Sequence, residues 1–333
     1  MVPRWWLGPK VAPRHVSASC AAKGSSAEPS APVDEAGSRS GPTMPAVTDE
    51  LAVGVDVGGT KVLVVALDAT SNVVAEHRLP TPKDPDALLD TIAAAVAALG
   101  VEVGSVGIGI AGLVTAAGAV CVSPHLAHPE RLDLVGNIGG RLHVPVRVAN
   151  DANAAAWGEA CLGAGRGVRD LVVVTLGTGI GASIVCNGRI VVGAHGFGGE
   201  PGHMTVNFDG ERYITGARGC WEQYGSGSAL YAADGTITAA DLATPAGAAT
   251  LARYAEMVAV GLGNLVNLFD PEVVVIGGGV SALGEPLRSA IVAHLPAWVF
   301  GAPQRTKLRV ELAELGERAG AIGAALLGAA PPD

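Results

Sequence analysis

Charge, aromatic rings and paired cysteines are all scarce in these 333 residues. Only 16% of the side chains are charged and 4% are aromatic. A core with so few rings has to be built from small aliphatics. No Lys/Arg block is present, and 31 Asp+Glu against 22 Lys+Arg give a formal charge of −9. That balance argues against a protein that tracks a phosphate backbone. The five cysteines (Cys20, Cys121, Cys161, Cys186, Cys220) are odd in number and lack paired spacing. They fit reduced thiols in a cytoplasmic protein rather than a disulfide framework. The Gly-Lys-Ser/Thr ending of a P-loop is missing too. One run, Val103 to Val122, carries no charge and has the length of a membrane span. It also holds Gly104, Gly107, Gly109, Gly112 and Gly118, so a buried strand leaving into a glycine loop is the expectation.

What the chain has in plenty is glycine, at 47, with 21 prolines, which implies many tight turns. The length allows one large domain or two modest ones, and the positive mean hydropathy excludes a wholly disordered chain. Charge is unevenly spread: residues 1–43 net +2, leaving −11 for the rest. That head is rich in Ser, Pro, Ala and Gly without apolar periodicity, so 1–49 reads as a disordered extension. It has no acid before Glu28, as transit peptides do, but Trp5-Trp6-Leu7 is too short for a signal-peptide core. Initiation at Met44 is the simpler expectation, giving a protein of 290 residues.

Periodicity and turn signals give an element order that recurs. Strands are expected at 51–56, 61–67 and 72–79, a helix from Asp84-Pro85 to about Gly100, then strand 106–110. A further helix, strand 146–148 and a helix over 152–162 follow. Strands then recur at 171–176, 182–186 and 189–192, the last two joined by an Asn187-Gly188 hairpin turn. A long helix over about 246–268 leads to strand 273–276. Three meandering strands followed by helix and strand, twice over, predict two related α/β lobes.

Glycine loops follow the first strand of each half. Asp56-Val-Gly58-Gly59-Thr60-Lys61 can turn its amides toward a phosphate, and Asp56 is placed to hold Mg²⁺. Gly177-Thr178-Gly179-Ile180-Gly181 repeats the arrangement. Either one alone reads as a hairpin turn; the matched pair points to a nucleotide clamp. Gly107-Ile-Gly109-Ile-Ala-Gly112 matches a dinucleotide fingerprint literally, but the residues after it make a poor helix, so a Rossmann dehydrogenase is not expected. Asp151, after a hydrophobic strand, is placed to accept a proton from a substrate hydroxyl. It is equally suited to cap the Ala-rich helix that follows. Glu200, His203 and Glu222, on glycine-rich turns, suit a polyol whose hydroxyls both donate and accept, or are ordinary turn residues. Trp221 is either an apolar wall for that ligand or a core indole.

These segments together resemble the ROK group of bacterial sugar kinases and repressors. The likeness runs from about Leu51 to Leu327. It rests on Asp56–Lys61, Asn150-Asp-Ala-Asn-Ala-Ala-Ala-Trp-Gly-Glu159, Leu176–Gly181, Gly199-Glu-Pro-Gly-His-Met204, Gly219-Cys-Trp-Glu222 and Asp270–Gly279. It implies a two-lobed α/β fold of actin/hexokinase (ribonuclease H-like) type, with duplicated βββαβα lobes around a cleft. The small lobe would span 50–151 and the large lobe 152–312, with a helix at 313–330 returning to the small lobe. It implies ATP-dependent phosphorylation of a hexose, glucose or a related sugar, at the 6-hydroxyl. Asp151 would be the general base, and Asn150, Glu200, His203 and Glu222 would join it in binding the sugar. Asp56, Gly58, Gly59, Thr60 and Lys61 would bind the nucleotide with Gly177, Thr178 and Gly179, while Gly277, Gly278 and Gly279 would flank its adenosine. Such kinases are often homodimers, and this one would bind neither nucleic acid nor membrane.

Two departures from the family pattern matter. The family commonly holds a structural zinc between the His of Gly-His-Met and three Cys in Cys-x-Cys-Gly-x-x-Gly-Cys. In this chain that run is Tyr213-Ile-Thr215-Gly216-Ala-Arg-Gly219-Cys220, with two thiols replaced. No zinc is expected, since a structural site needs four good ligands. The family's Pro-Asn-Leu is Pro124-His125-Leu126. These changes leave a second reading: a weak or inactive sugar-sensing protein of the same family. A DNA-binding repressor is not expected, because residues 1–50 offer no pair of helices.

Overall fold

The computed structural model describes residues 50–126, 128–234 and 241–330. The expectations about the head, the start at Met44 and the missing helix pair therefore lie outside the described residues. Order begins with two apolar strands, β1 (Leu51–Val57) and β2 (Lys61–Leu67), paired antiparallel across the Gly58-Gly59 turn. Strand β3 (Val73–Pro80) alternates half-buried and exposed residues, as an edge strand should. Asp84 then accepts from the Ala87 N–H and starts helix α1 (Pro85–Ala97), with proline in the first turn as the sequence predicts. Strand β4 (Val103–Ile110) lies parallel to β1. After a small ribbon of β5 (Leu113–Val114) and β6 (Val120–Val122), helix α2 (Leu134–Leu142) leads to β7 (Val146–Asn150), parallel to β4. The sheet order is β3-β2-β1-β4-β7.

Helix α3 (Asp151–Leu162) carries the chain to a second sheet with the same plan. Its strands are β8 (Leu171–Leu176), β9 (Ile180–Cys186) and β10 (Arg189–Ile190). Two short helices follow, α4 (Glu222–Gly225) and α5 (Gly227–Asp234), then the long α6 (Pro245–Phe269). Strand β11 (Val273–Gly277), helix α7 (Glu285–His294) and strand β12 (Arg309–Leu312) complete the order β10-β9-β8-β11-β12. In both sheets the first three strands are antiparallel and the last two run parallel to the first. The fifth strand of the first sheet, β7, was expected over 146–148, whereas that of the second sheet, β12, was not expected. The charge-free run 103–122 is β4, β5 and β6, and among the described residues no helix is long and apolar enough to cross a membrane. Strand β10 ends at Ile190 rather than 192, and β4 starts three residues earlier than expected.

The central strands β1, β2, β8 and β11 are buried on both faces, which is why they read as near-continuous apolar runs. The last helix, α8 (Ala319–Ala329), crosses the first sheet and is almost wholly buried. Its packing is set by glycine. A Cβ on Gly54 of β1 would lie 1.8 Å from the Ala321 carbonyl oxygen, and one on Gly107 of β4 would lie 1.7 Å from that of Ala324. A Cβ on Gly323 would meet the Ala154 carbonyl of α3 at 1.7 Å. Helix α8 therefore sits backbone to backbone on β1, β4 and α3. Burying Ile322 and Leu326 there adds roughly 1.5–3 kcal/mol each.

Glu159 of α3, 1% exposed, fixes the two chain crossings between the sheets. One carboxylate oxygen accepts from the Leu315 N–H at 2.8 Å; the other accepts from Ala164 at 3.0 Å and Glu314 at 3.1 Å. A buried carboxylate with three backbone donors is well satisfied.

Candidate active site

The candidate residues gather at the carboxyl ends of parallel strands, where open α/β sheets place their ligands. Asp56 is the penultimate residue of β1, and its β4 partner in register is Gly109. Asn150 ends β7 opposite Ile110, and Asp151 is the first residue of α3. Gly109 lies between the two acids: a Cβ on it would be 3.6 Å from the Asp151 Cα. Gly320 of α8 leaves the space that the Asp56 carboxyl fills, at 2.8 Å from where its Cβ would be.

The two readings of Asp151 separate here. Asn150 performs the capping, its Oδ1 accepting from the Asn153 N–H at 3.1 Å while its Nδ2 donates to the Gly112 carbonyl at 3.0 Å. Asp151 is not the cap residue. Burial raises its carboxyl above the usual carboxylate range, opposed by local backbone N–H groups and by the positive field of His125. Burial also lifts Asp56, to about 7, with repulsion from Asp151 adding to it and Lys61 opposing. The charge of Asp151 therefore disfavours ionisation of the neighbouring Asp56.

The first glycine loop is braced from β3's end: the Thr81 hydroxyl donates to the Gly58 carbonyl at 2.7 Å. Gly59 and Thr60 are exposed at its tip. The Lys61 ammonium is engaged with Glu317 at 2.7 Å, next to Arg78, and so anchors the loop to the start of α8. The second glycine loop is braced from α4 and α5. The Gly227 N–H donates to the Gly177 carbonyl at 2.7 Å, and the Ser228 hydroxyl to that of Thr178 at 2.7 Å. Glu222 reaches back to it as well, accepting from the Ile180 N–H at 2.7 Å. Gly277, Gly278 and Gly279 leave β11, which pairs with β8, so both loops open at one sheet end. Gly278 has φ +81°, and a Cβ on it would strike the Leu176 carbonyl at 2.5 Å.

Glu200 and His203 flank a single 3₁₀ turn over Pro201–His203. The surrounding protein raises the Glu200 carboxyl, with His203 opposing and both Asp151 and Glu222 adding to the rise. Asp151, Glu200, His203 and Glu222 thus share one electrostatic neighbourhood. Trp221 is fully buried, with its indole N–H donating to the Met257 carbonyl at 2.9 Å, so it is a core indole and not a ligand wall. Two further residues stand here that the motif pattern did not assign. His125 has its ring over the first loop, 3.0 Å from where a Gly59 Cβ would lie. Tyr213 donates its hydroxyl to the second Glu222 oxygen and faces the His203 ring, centroids 5.9 Å apart. The departures at 125 and 213 from the family pattern were the available signals. What the side chains touch was not in them.

The duplicated sheets, the acid pair and the glycine loops define a two-lobed phosphotransferase architecture. The model of the ROK family matches residues 52–330, and the chain belongs to that family. It is 36% identical over 312 residues to a glucokinase of Streptomyces coelicolor, covering 84% of this chain and 98% of that one. An N-acetyl-D-glucosamine kinase of Pectobacterium atrosepticum is 34% identical over 305 residues, 82% and 97% covered. Among solved structures, a ROK glucokinase from Streptomyces griseus in complex with glucose and AMPPNP superposes with a TM-score of 0.73 at 35% identity. That match covers 84% of this chain and 99% of that one.

Proposed function

We propose that this ROK-family sugar kinase transfers the γ-phosphoryl group of ATP to the 6-hydroxyl of glucose or a close relative, with Asp151 as general base. The observation that carries the reading is the division of labour at the head of α3. Asn150 caps the helix, which leaves the Asp151 carboxylate for the cleft. A carboxyl raised by burial is a better proton acceptor than a free one, provided it is ionised at the working pH.

The sugar would lie among Asn150, Glu200, His203 and Glu222, whose acceptors and donors match a ring of hydroxyls. The backbone amides of the loops at 56–61 and 177–179 would face the phosphates, and Gly277–Gly279 the adenosine side. Asp56 fits Mg²⁺, which takes one or two protein carboxylates along with phosphate oxygens; when bound it would offset the charge of the transferring group. Closure of the lobes, 50–151 with 313–330 on one side and 152–312 on the other, would bring base and phosphates together and exclude water. The Glu159 carboxylate, which ties the two chain crossings together, would stay fixed during that closure.

A structural zinc does not fit the donor set. Tyr213 and Thr215 stand at two of the thiol positions, leaving His203 and Cys220, and Cys220 is wholly buried. The altered thiol run also supports the second reading, a sugar-sensing protein without turnover. An ADP-release assay over a panel of glucose, N-acetylglucosamine, N-acetylmannosamine, fructose and allose separates the two. Turnover that Asp151→Asn removes is the expected result; sugar binding without turnover on any of them would overturn the kinase reading. Metal analysis of protein prepared without chelator should find well under one equivalent of zinc.

A further inference from the structure

The hairpin over residues 211–219 lies across the 204–207 segment. Thr205 bridges to Cys220, the Val206 N–H donates to the Gly219 carbonyl, and Tyr213 and Ala217 close its turn at 2.7 Å. This geometry delivers Tyr213, nine residues before Glu222, to the two groups read as sugar-binding. Its hydroxyl donates to Glu222 Oε1 while Glu222 Oε2 accepts from the Ile180 N–H at 2.7 Å. Each oxygen is thereby fixed, and each keeps a lone pair for a ligand hydroxyl. The Tyr213 ring meets the His203 ring at 5.9 Å with 38° between planes, which limits how that imidazole can turn. We propose that Tyr213 is a positioning residue of the sugar site, holding Glu222 by its hydroxyl and His203 by its ring.

The proposal rests on the reading of Glu222 and His203 as sugar-binding groups, and it deepens that reading. Orientation of a carboxylate before the ligand arrives removes an ordering cost from binding. The effect belongs to sugar affinity and not to the phosphoryl step, because Tyr213 touches neither Asp151 nor a phosphate loop. The phenol is pushed up to about 12, chiefly by its bond to the Glu222 carboxylate, so it stays a donor over the working pH range.

The test is kinetic, with Tyr213→Phe, which keeps the ring, and Tyr213→Leu, which removes it. Loss of a hydrogen bond to a charged group should raise the sugar KM about tenfold in Tyr213→Phe, with kcat within about threefold and the ATP KM unchanged. Tyr213→Leu should raise the sugar KM further, to about thirtyfold, since both groups are then released. Trypsin should cut after Arg212 and Arg218, both exposed, faster in both variants than in the unaltered protein. An unchanged sugar KM in Tyr213→Phe overturns the proposal. So does a lower one, which would mean that the hydroxyl competes with the sugar for Glu222. If the unaltered protein binds a sugar without turning it over, the kinase reading fails alone. The proposal is then judged by the calorimetric Kd, which Tyr213→Phe should weaken about tenfold. A protein that binds no sugar of the panel overturns both.

Discussion

The two halves of this molecule share strand order and direction, yet their glycine loops are built for different work. The loop after β1 starts from a carboxyl, Asp56, close to a second one, Asp151, and its outer side is tied by an ion pair to Glu317, just before α8. The loop after β8 presents no acid. It is clamped from one side by α5, and the space at Gly179 is closed by the Glu222 carboxylate. One scaffold therefore supplies charge on one wall and a rigid backbone surface joined to the sugar groups on the other. Duplication explains the strands. The specialisation comes from what each loop is packed against.

The largest effect that would break this comparison is at Asp151. Asp151→Asn should lower kcat by about 10³-fold, within the range for general-base removal, while ultraviolet circular dichroism stays unchanged because Asn150 still caps α3. A variant with near-normal turnover would end the assignment of the charged wall. Next comes a paired substitution of the loops. A Cβ at Gly179 would sit 2.2 Å from Glu222 Oε2, so Gly179→Ala should raise the sugar KM on the order of tenfold or more by displacing that carboxylate. At Gly59 the nearest obstacle is an exposed histidine ring at 3.0 Å, which can rotate away. Gly59→Ala should change the sugar KM by less than about threefold. Equal effects at both glycines would show the loops to be interchangeable.

Asp56 gives a pH test of the same contrast. Its folded-state pKa, raised to about 7, lies well above its ordinary value, so the folded protein holds a proton there that the unfolded chain has released. Ligand-free stability must then fall as pH rises from about 4 through about 7. Asp56→Asn removes that slope and should make the ligand-free protein more stable at pH 8 by a few kcal/mol, though not at pH 4, by denaturant titration. It should also lower kcat, by less than Asp151→Asn does. No gain at pH 8 would mean the acid pair is not strained. The smallest effect belongs to Lys61→Met. Its ion pair with Glu317, whose side chain is 68% exposed, is solvated and worth under about 1 kcal/mol, so the melting temperature should move by no more than about 3 °C.

The strand meander of each half was readable from period and turn residues, because a strand buried on both faces needs a continuous apolar run and its turn needs glycine. Asp84 as a cap and Asn187-Gly188 as a hairpin turn were readable for the same local reason. The fifth strand of the first sheet was expected as a shorter run, and that of the second sheet, β12, not at all: Arg309–Leu312 reads "Arg-Val-Glu-Leu", half charged, as a sheet edge allows. Asp151 and Asn150 were both legible as candidates. Which of them caps the helix was not, since either side chain has the chemistry and only the backbone position decides.

The sequence by itself determined the class: two α/β halves, glycine turns at strand ends, and a set of acids, amides and imidazole suited to a phosphorylated polyol reaction. Those properties are local, set by side-chain chemistry and by periods of two and 3.6. Tertiary structure decided who touches whom. Lys61 meets a glutamate 256 positions away, Glu159 ties down turns at 164 and 314, and Gly323 lets α8 reach α3. Tyr213, a departure from the family pattern in the sequence, becomes a partner of Glu222 only because the hairpin folds back. Contacts of that kind depend on the path of the backbone, and no spacing along the chain encodes them.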